Sequence, residues 1–299
     1  MNTDFIKGII PPIVTPVTSD ERIDEKGLRR QVDFVIDGGV SGILAFGSNG
    51  EFYMFEEDEI LQVLNIIVDQ SAGRVPIYLG IGEIRTSKCV RLAKMGAANG
   101  ASGISMLQPM FLKPSDDELA THFRTIAEAV GNTPALLYNN PGRTGYGMSQ
   151  SLVEQLAHTI DNLVGMKDSS GDMTQTLEFI RRNADVDFKV MCGKDTLIYG
   201  GLAHGAVGAV CTTANFLPEL VCSIYDKFMA GDLFGSLEAQ CKLNPIRLAM
   251  DSTSFPVATK DYAKLLDLNV GHPILPSKPC TEKQLVQLRD ELVKAGYLD

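Results

Sequence analysis

The six cysteines never stand as a C-x-x-C pair, and no H-E-x-x-H pattern links the four histidines. A zinc site or a disulfide framework therefore has no support in the spacing. Cys89, Cys192, Cys211, Cys222, Cys241 and Cys280 lie scattered through apolar stretches, as buried reduced thiols of a cytosolic chain would. The phosphate-loop pattern G-x-x-x-x-G-K-[ST] is missing. Gly80 and Gly82 begin a glycine pair, but Arg85 stands where a dinucleotide fingerprint needs glycine, so neither ATP nor NAD is indicated. Positive charge is in short supply, with 27 Lys+Arg against 37 Asp+Glu and a formal net charge of −10. Such a field repels nucleic acid and anionic membranes. No apolar run is long enough to span a bilayer, and Met1–Lys7 lacks the basic start of a signal peptide. The reading is a soluble, cytoplasmic protein with no nucleic-acid or membrane partner.

What the chain does have is 44% hydrophobic residues, enough for a large core in 299 residues. Short apolar runs alternate with amphipathic stretches. The runs are Gly8–Val14, Gly42–Phe46, Pro76–Ile81, Gly103–Leu107, Pro134–Tyr138, Leu163–Lys167, Phe188–Cys192 and Ala206–Cys211. Their near-continuous apolarity suits strands buried on both faces of a parallel sheet. The stretches between them read as helices. Examples are Asp24–Ile36, Glu57–Val68, Ser149–His158 with Ser149 as N-cap, and Ser115–Val130 with a Ser115/Glu118 capping box. Eight strand–helix alternations predict an α/β fold, a (β/α)8 TIM barrel over residues 1–212. A doubly wound open sheet is the rival. Residues 213–299 read as a C-terminal helical extension, with helices at Leu217–Met229, Gly235–Met250 and Thr281–Lys294 punctuated by prolines.

In such a barrel the chemistry sits at the C-terminal ends of strands. Three ends are unusual: Gly47-Ser48-Asn49-Gly50-Glu51, Tyr138-Asn139-Asn140-Pro141-Gly142-Arg143 and Lys167-Asp168-Ser169-Ser170. Lys167 closes the apolar run Leu163–Met166. Burial there disfavours a charged ammonium, and a neutral amine can attack a ketone to form a Schiff base. The alternative is a lysine that reaches solvent or pairs with Asp168. Tyr138 could move protons beside that amine, or be an ordinary half-buried strand tyrosine. The turn at Ser48 and Asn49 could hold a carboxylate on backbone N–H groups and a hydroxyl. Arg143 could clamp a second carboxylate or merely be solvated.

Together these ends resemble the dihydrodipicolinate synthase/N-acetylneuraminate lyase superfamily of class I, pyruvate-dependent aldolases. The likeness extends through Gly8-Ile9-Ile10-Pro11-Pro12-Ile13-Val14-Thr15-Pro16, Cys192-Gly193-Lys194-Asp195, Leu202–Gly208 and Ala214-Asn215. It implies that Lys167 is the Schiff-base lysine and that Tyr138 shuttles protons. It also implies that Ser48 and Asn49 lie on the pyruvate-carboxylate loop and that Arg143 binds a substrate carboxylate. Neither metal nor organic cofactor is implied, and a homo-oligomer, a tetramer or dimer, is. Three positions depart from the synthase pattern. Asn49 stands where the family usually has threonine, Phe111 where synthases place a tyrosine, and Gly82-Glu83-Ile84-Arg85 replaces a small polar loop.

The resulting expectation is a lyase that cleaves or forms a C–C bond in a 4-hydroxy-2-oxo acid, of keto-deoxy sugar acid or 4-hydroxy-2-oxoglutarate type. Its small-molecule partners are pyruvate and an aldehyde or 2-oxo acid. The alternatives are 4-hydroxy-tetrahydrodipicolinate synthase, a Schiff-base dehydratase of a 3-deoxy-2-oxo sugar acid, and a non-catalytic 2-oxo acid binding protein.

Overall fold

Eight parallel strands form one sheet in a computed structural model that describes residues 1–299. They are β1 (Gly8–Ile10), β2 (Ile43–Ala45), β3 (Ile77–Ile81), β4 (Gly103–Leu107), β5 (Ala135–Asn139), β6 (Leu163–Asp168), β7 (Lys189–Cys192) and β8 (Gly208–Val210). From β2 to β8 each pairs with the next in sequence, and β8 pairs with β1. Between β1 and β2 a parallel bridge joins Pro12 to Leu44. The sheet thus curls into a nearly closed (β/α)8 barrel, and the doubly wound alternative is set aside. Strand β1 stops at Ile10 although the apolar run continues to Val14. Pro11 and Pro12 have no N–H to extend the ladder.

Helix boundaries follow local chemistry. The Ser115 hydroxyl accepts from the Glu118 amide, and the Glu118 carboxylate accepts from the Ser115 amide, so the expected capping box opens Asp116–Glu128. Ser149 accepts from the Leu152 amide to cap Gln150–Thr159. Thr281 does the same for Glu282–Lys294.

The core divides at the barrel wall. A large cluster, including Leu79, Ile104, Leu137 and Met166, joins the outer faces of the strands to the helices. A small one, including Ile10, Leu44, Tyr78, Leu136, Met191 and Val210, fills the lower interior. Cys89, Cys192, Cys211 and Cys222 are buried, but Cys241 is exposed and Cys280 half-buried, so the expectation of buried thiols fits only four of the six. No helix is long and apolar enough to cross a membrane.

The expected tail helices form as Pro218–Met229, Leu233–Ala249 and Glu282–Lys294. A fourth, Val257–Leu265, was not foreseen. Its middle residues Thr259, Lys260 and Asp261 are all buried, and each grips another part of the chain. Thr259 donates to the Asn49 Oδ1 at 2.9 Å, Lys260 reaches Glu51 at 2.7 Å, and Asp261 accepts from the Cys280 amide at 2.7 Å. Helix Val257–Leu265 thereby fastens the C-terminal helices to the loop that follows β2.

Candidate active site

Strands β5 and β6 set Tyr138 directly opposite Lys167 in parallel register. Both side chains are buried. The Lys167 Nζ lies 4.3 Å from the centre of the Tyr138 ring. Below it, Ser105, Tyr78 and aliphatic side chains from five strands close off the barrel interior. Only two lysines of this chain are buried, Lys167 and Lys260. Lys260 is ion-paired with Glu51, whereas Lys167 faces an aromatic ring.

Asp168 does not neutralise Lys167, because its own acceptors are occupied. It accepts from the Asn139 amide at 2.8 Å, the Ser170 hydroxyl at 2.8 Å, the Ser170 backbone N–H at 3.1 Å and the Thr176 hydroxyl at 2.5 Å. Successive residues of a strand point to opposite faces. That alternation turns Lys167 inward and Asp168 outward to this polar cluster. Of the alternatives raised for Lys167, neither solvent exposure nor pairing with Asp168 is seen.

The Asn140 Nδ2 donates to the Tyr138 phenol at 2.7 Å. Burial alone pushes the phenol pKa up. The Lys167 charge, with the polar Ser48, Ser169 and Asn140 side chains around the phenol, outweighs it and holds the group below the ordinary value of 10.0. A buried phenol tuned towards ionisation beside an amine can accept and return a proton.

Ser48, Asn49 and Gly50 form a single 3-10 turn after β2, all three buried. Gly47 leads into it, and a Cβ there would lie 2.7 Å from that of Pro12. The N–H groups that open such a turn have no carbonyl partner within it, which suits them to an anion. Glu51 ends the turn in the left-handed region at φ 56°. There its buried carboxylate meets Lys260 and accepts from the Ile274 amide at 2.9 Å.

The Asn49 side chain is engaged within the fold. Its Nδ2 donates to the Thr212 hydroxyl at 2.8 Å and its Oδ1 accepts from Thr259. The amide is therefore committed to β8 and helix Val257–Leu265, which leaves only its backbone N–H to meet a ligand. Arg143, on the short helix Pro141–Thr144, is exposed at the mouth. Its guanidinium lies 4.4 Å from the centre of the Phe255 ring. All five anticipated residues thus surround the C-terminal rim, though Arg143 stands farther out than the other four.

Sequence reasoning missed Asn140, Thr259 and Lys260, together with Phe255 and Arg247 at the mouth. The available signal was polar residues inside the apolar helix register of 257–265. No group of three or more His, Cys, Asp and Glu side chains is arranged to hold a metal ion.

The model of the dihydrodipicolinate synthetase family matches residues 5–295. The 4-hydroxy-tetrahydrodipicolinate synthase of Methanosarcina barkeri is 33% identical over 295 residues, covering 99% of this chain and 100% of the relative. Among solved structures, a prophage protein of the dihydrodipicolinic acid synthase family from E. coli K12, in complex with pyruvate, superposes with a TM-score of 0.93. It is 28% identical and covers 97% of this chain and 98% of its own. A dihydrodipicolinate synthase variant described as monomeric superposes at 0.95, with 26% identity and coverage of 99% and 98%.

Proposed function

The chain belongs to the dihydrodipicolinate synthetase family, whose members are pyruvate-dependent lyases and synthases of the class I aldolase type, and on that premise we propose that it cleaves a 4-hydroxy-2-oxo acid into pyruvate and an aldehyde. One observation carries the reading: Lys167 and Tyr138 are buried face to face beside the Ser48–Gly50 turn.

The steps follow from that geometry. The substrate carboxylate sits on the Ser48 hydroxyl and the N–H groups of Ser48 and Asn49. The Lys167 Nζ attacks the C2 carbonyl, and loss of water gives the iminium. Tyr138 takes the proton from the C4 hydroxyl. The C3–C4 bond breaks, its electrons pass into the iminium, and the aldehyde leaves. Tyr138 then returns a proton to C3, and water hydrolyses the pyruvate imine to free Lys167. The lysine itself is the covalent group, so the scheme calls on no metal or organic cofactor. Arg143 meets a carboxylate carried by the departing half.

A second reading is 4-hydroxy-tetrahydrodipicolinate synthase, the name borne by the Methanosarcina relative, and Arg143 fits it. Phe111 argues against it, having no hydroxyl to relay a proton. A coupled assay separates the two. Pyruvate released from a 4-hydroxy-2-oxo acid supports the lyase. Consumption of pyruvate with aspartate semialdehyde, read through the next reductase, supports the synthase.

The proposed division remains a catalytic barrel over residues 1–212 and a helical extension over 213–299, with Thr259 and Lys260 of the extension bracing the carboxylate turn. A homo-oligomer, dimer or tetramer, is proposed as well. Phe111 supports it, being fully exposed on a left-handed backbone beside the exposed Leu112. Reduced cysteines suit the cytoplasm, the proposed location.

A further inference from the structure

Two small cavities inside the barrel meet at Ser105 on β4. The lower one, of about 20 Å³, is lined by one side chain from each of the eight strands, among them Tyr78, Ser105 and Lys167. The upper one, of about 10 Å³, has Ser48, Ser105 and Tyr138 in its wall. Leu44 and Ser105 are common to both, and only Ser105 of the two is polar.

Packing alone does not ask for a serine here. Barrel interiors are filled by layers of four side chains from alternate strands, mostly bulky and branched. Ser105 stands with Leu44, Lys167 and Val210 in the set from the even-numbered strands. Its small side chain leaves room beside the lysine. The Tyr78 phenol is buried and has no hydrogen-bond partner within the chain. A cavity of roughly 10–15 Å³ holds one water, provided that two or more polar groups face it. The lower cavity offers Tyr78, Ser105 and Lys167, and the upper one offers Ser48, Ser105 and Tyr138. Burial pushes the Tyr78 pKa up. That phenol therefore stays a donor, able to anchor a water without taking up a proton itself.

Imine formation needs a route for protons. An ammonium carries three N–H bonds and the iminium carries one. Two protons must leave Nζ, and the C2 oxygen must gain two to depart as water. The Lys167 Nζ meets the Tyr138 ring at 4.3 Å from its centre, and a ring face accepts no proton.

We propose that Ser105 links Lys167 to the Tyr138 oxygen. A water in the lower cavity, anchored by Tyr78, takes a proton from Nζ and passes one to the Ser105 oxygen. Ser105 passes its own proton to the Tyr138 phenolate across the upper cavity. Tyr138 then gives a proton to the C2 oxygen. Two such passages leave one N–H on the iminium, release the C2 oxygen as water and return Tyr138 to the phenolate that the C4 hydroxyl requires. The single positive charge on nitrogen is the same at start and end. This rests on the Schiff-base reading of Lys167 and adds the path of its protons.

Timed reduction tests the relay. Protein and saturating pyruvate are mixed, borohydride is added at successive times, and the adduct is read by intact mass. In Ser105→Ala the rate constant for adduct appearance should fall about 10²-fold, with the final yield unchanged. Ser105→Gly should be about tenfold faster than the alanine variant, because a water fits where the hydroxyl stood. A packing role predicts the reverse, since glycine leaves the larger void and loosens the strand. Tyr78→Phe should slow the adduct about tenfold, and it carries the test if the Ser105 variants do not fold. A native-like rate in Ser105→Ala or in Tyr78→Phe, or a glycine variant no faster than alanine, overturns the relay while the final adduct leaves the Schiff base standing. Failure of the native protein to give any adduct removes the Schiff-base reading and the relay with it.

Discussion

Replacing Lys260 by methionine tests whether the C-terminal helices brace the carboxylate turn. The Lys260 ammonium sits 2.7 Å from the Glu51 carboxylate and donates to the His272 carbonyl at 2.7 Å. Neither side chain of the pair touches solvent appreciably. Burial pulls the Lys260 pKa down, and the charge of Glu51 opposes the fall. Methionine keeps the length and apolar stem but removes the charge. Glu51 is then a buried carboxylate held only by the Ile274 amide. Removing one partner of a buried pair costs about 3–5 kcal/mol, because the other charge is stranded. For a chain of this size that corresponds to a fall in Tm of about 5–8 °C. The double variant Glu51→Gln/Lys260→Met strands nothing and should recover about half of the loss or more. Urea unfolding followed by far-UV circular dichroism gives the three stabilities. A loss below about 1 kcal/mol in Lys260→Met, or a double variant no better than the single one, refutes the reasoning. In the folded fraction of Lys260→Met, half-saturation by pyruvate should rise as well, since Glu51 ends the turn that carries Ser48 and Asn49.

Three further outcomes are expected. Tyr138→Phe should lower kcat by about 10²–10⁴. It should also abolish a rise in rate with pH, expected in the native protein below the ordinary phenol value of 10.0 as Tyr138 loses its proton and becomes able to act as the base. Gly193→Ala places a Cβ 2.0 Å from the Ser169 hydroxyl and 3.0 Å from the Lys167 Cε. Displacement of the amine by even 1 Å should cost about 100-fold in turnover with the circular dichroism spectrum unchanged. His122 is buried beside Thr86, and desolvation lowers its pKa from 6.5 to about 4. Between those values the unfolded chain binds a proton that the folded one refuses. The His122 contribution is therefore complete above pH 6.5 and lost as pH falls towards 4, up to about 3 kcal/mol. Denaturant midpoints at pH 7 and 4.5 should converge in His122→Leu, and a native-like difference there would speak against His122.

The barrel was legible because burial on two faces leaves a strong mark. The runs at Gly103–Leu107 and Leu163–Lys167 coincide with β4 and β6 to within one residue. Caps at Ser115 and Ser149 were legible for a different reason, since one side-chain oxygen must meet the free N–H groups of the first turn. Helix Val257–Leu265 was not legible. Its central residues are buried yet polar, so the apolar period breaks where the helix makes its tertiary contacts. The same cause hid Lys260, whose partner Glu51 lies more than 200 positions earlier. Lys167 and Tyr138 stood out because each ends an apolar run at a strand terminus. Their pairing depends on strand register, and one bulge between Ala135 and Leu136 helps to set it. Asn49 was found by its place in the turn, but the use of its side chain depends on Thr212 and Thr259, which only the folded chain brings near.

The central claim is that Lys167 forms a covalent imine with a 2-oxo acid. Incubation with saturating pyruvate and borohydride, followed by peptide mass spectrometry, tests it most directly. The account predicts a reduced pyruvate adduct on the peptide carrying Lys167, and none in Lys167→Ala. An unmodified Lys167 in the native protein, or an adduct on another lysine, would contradict it.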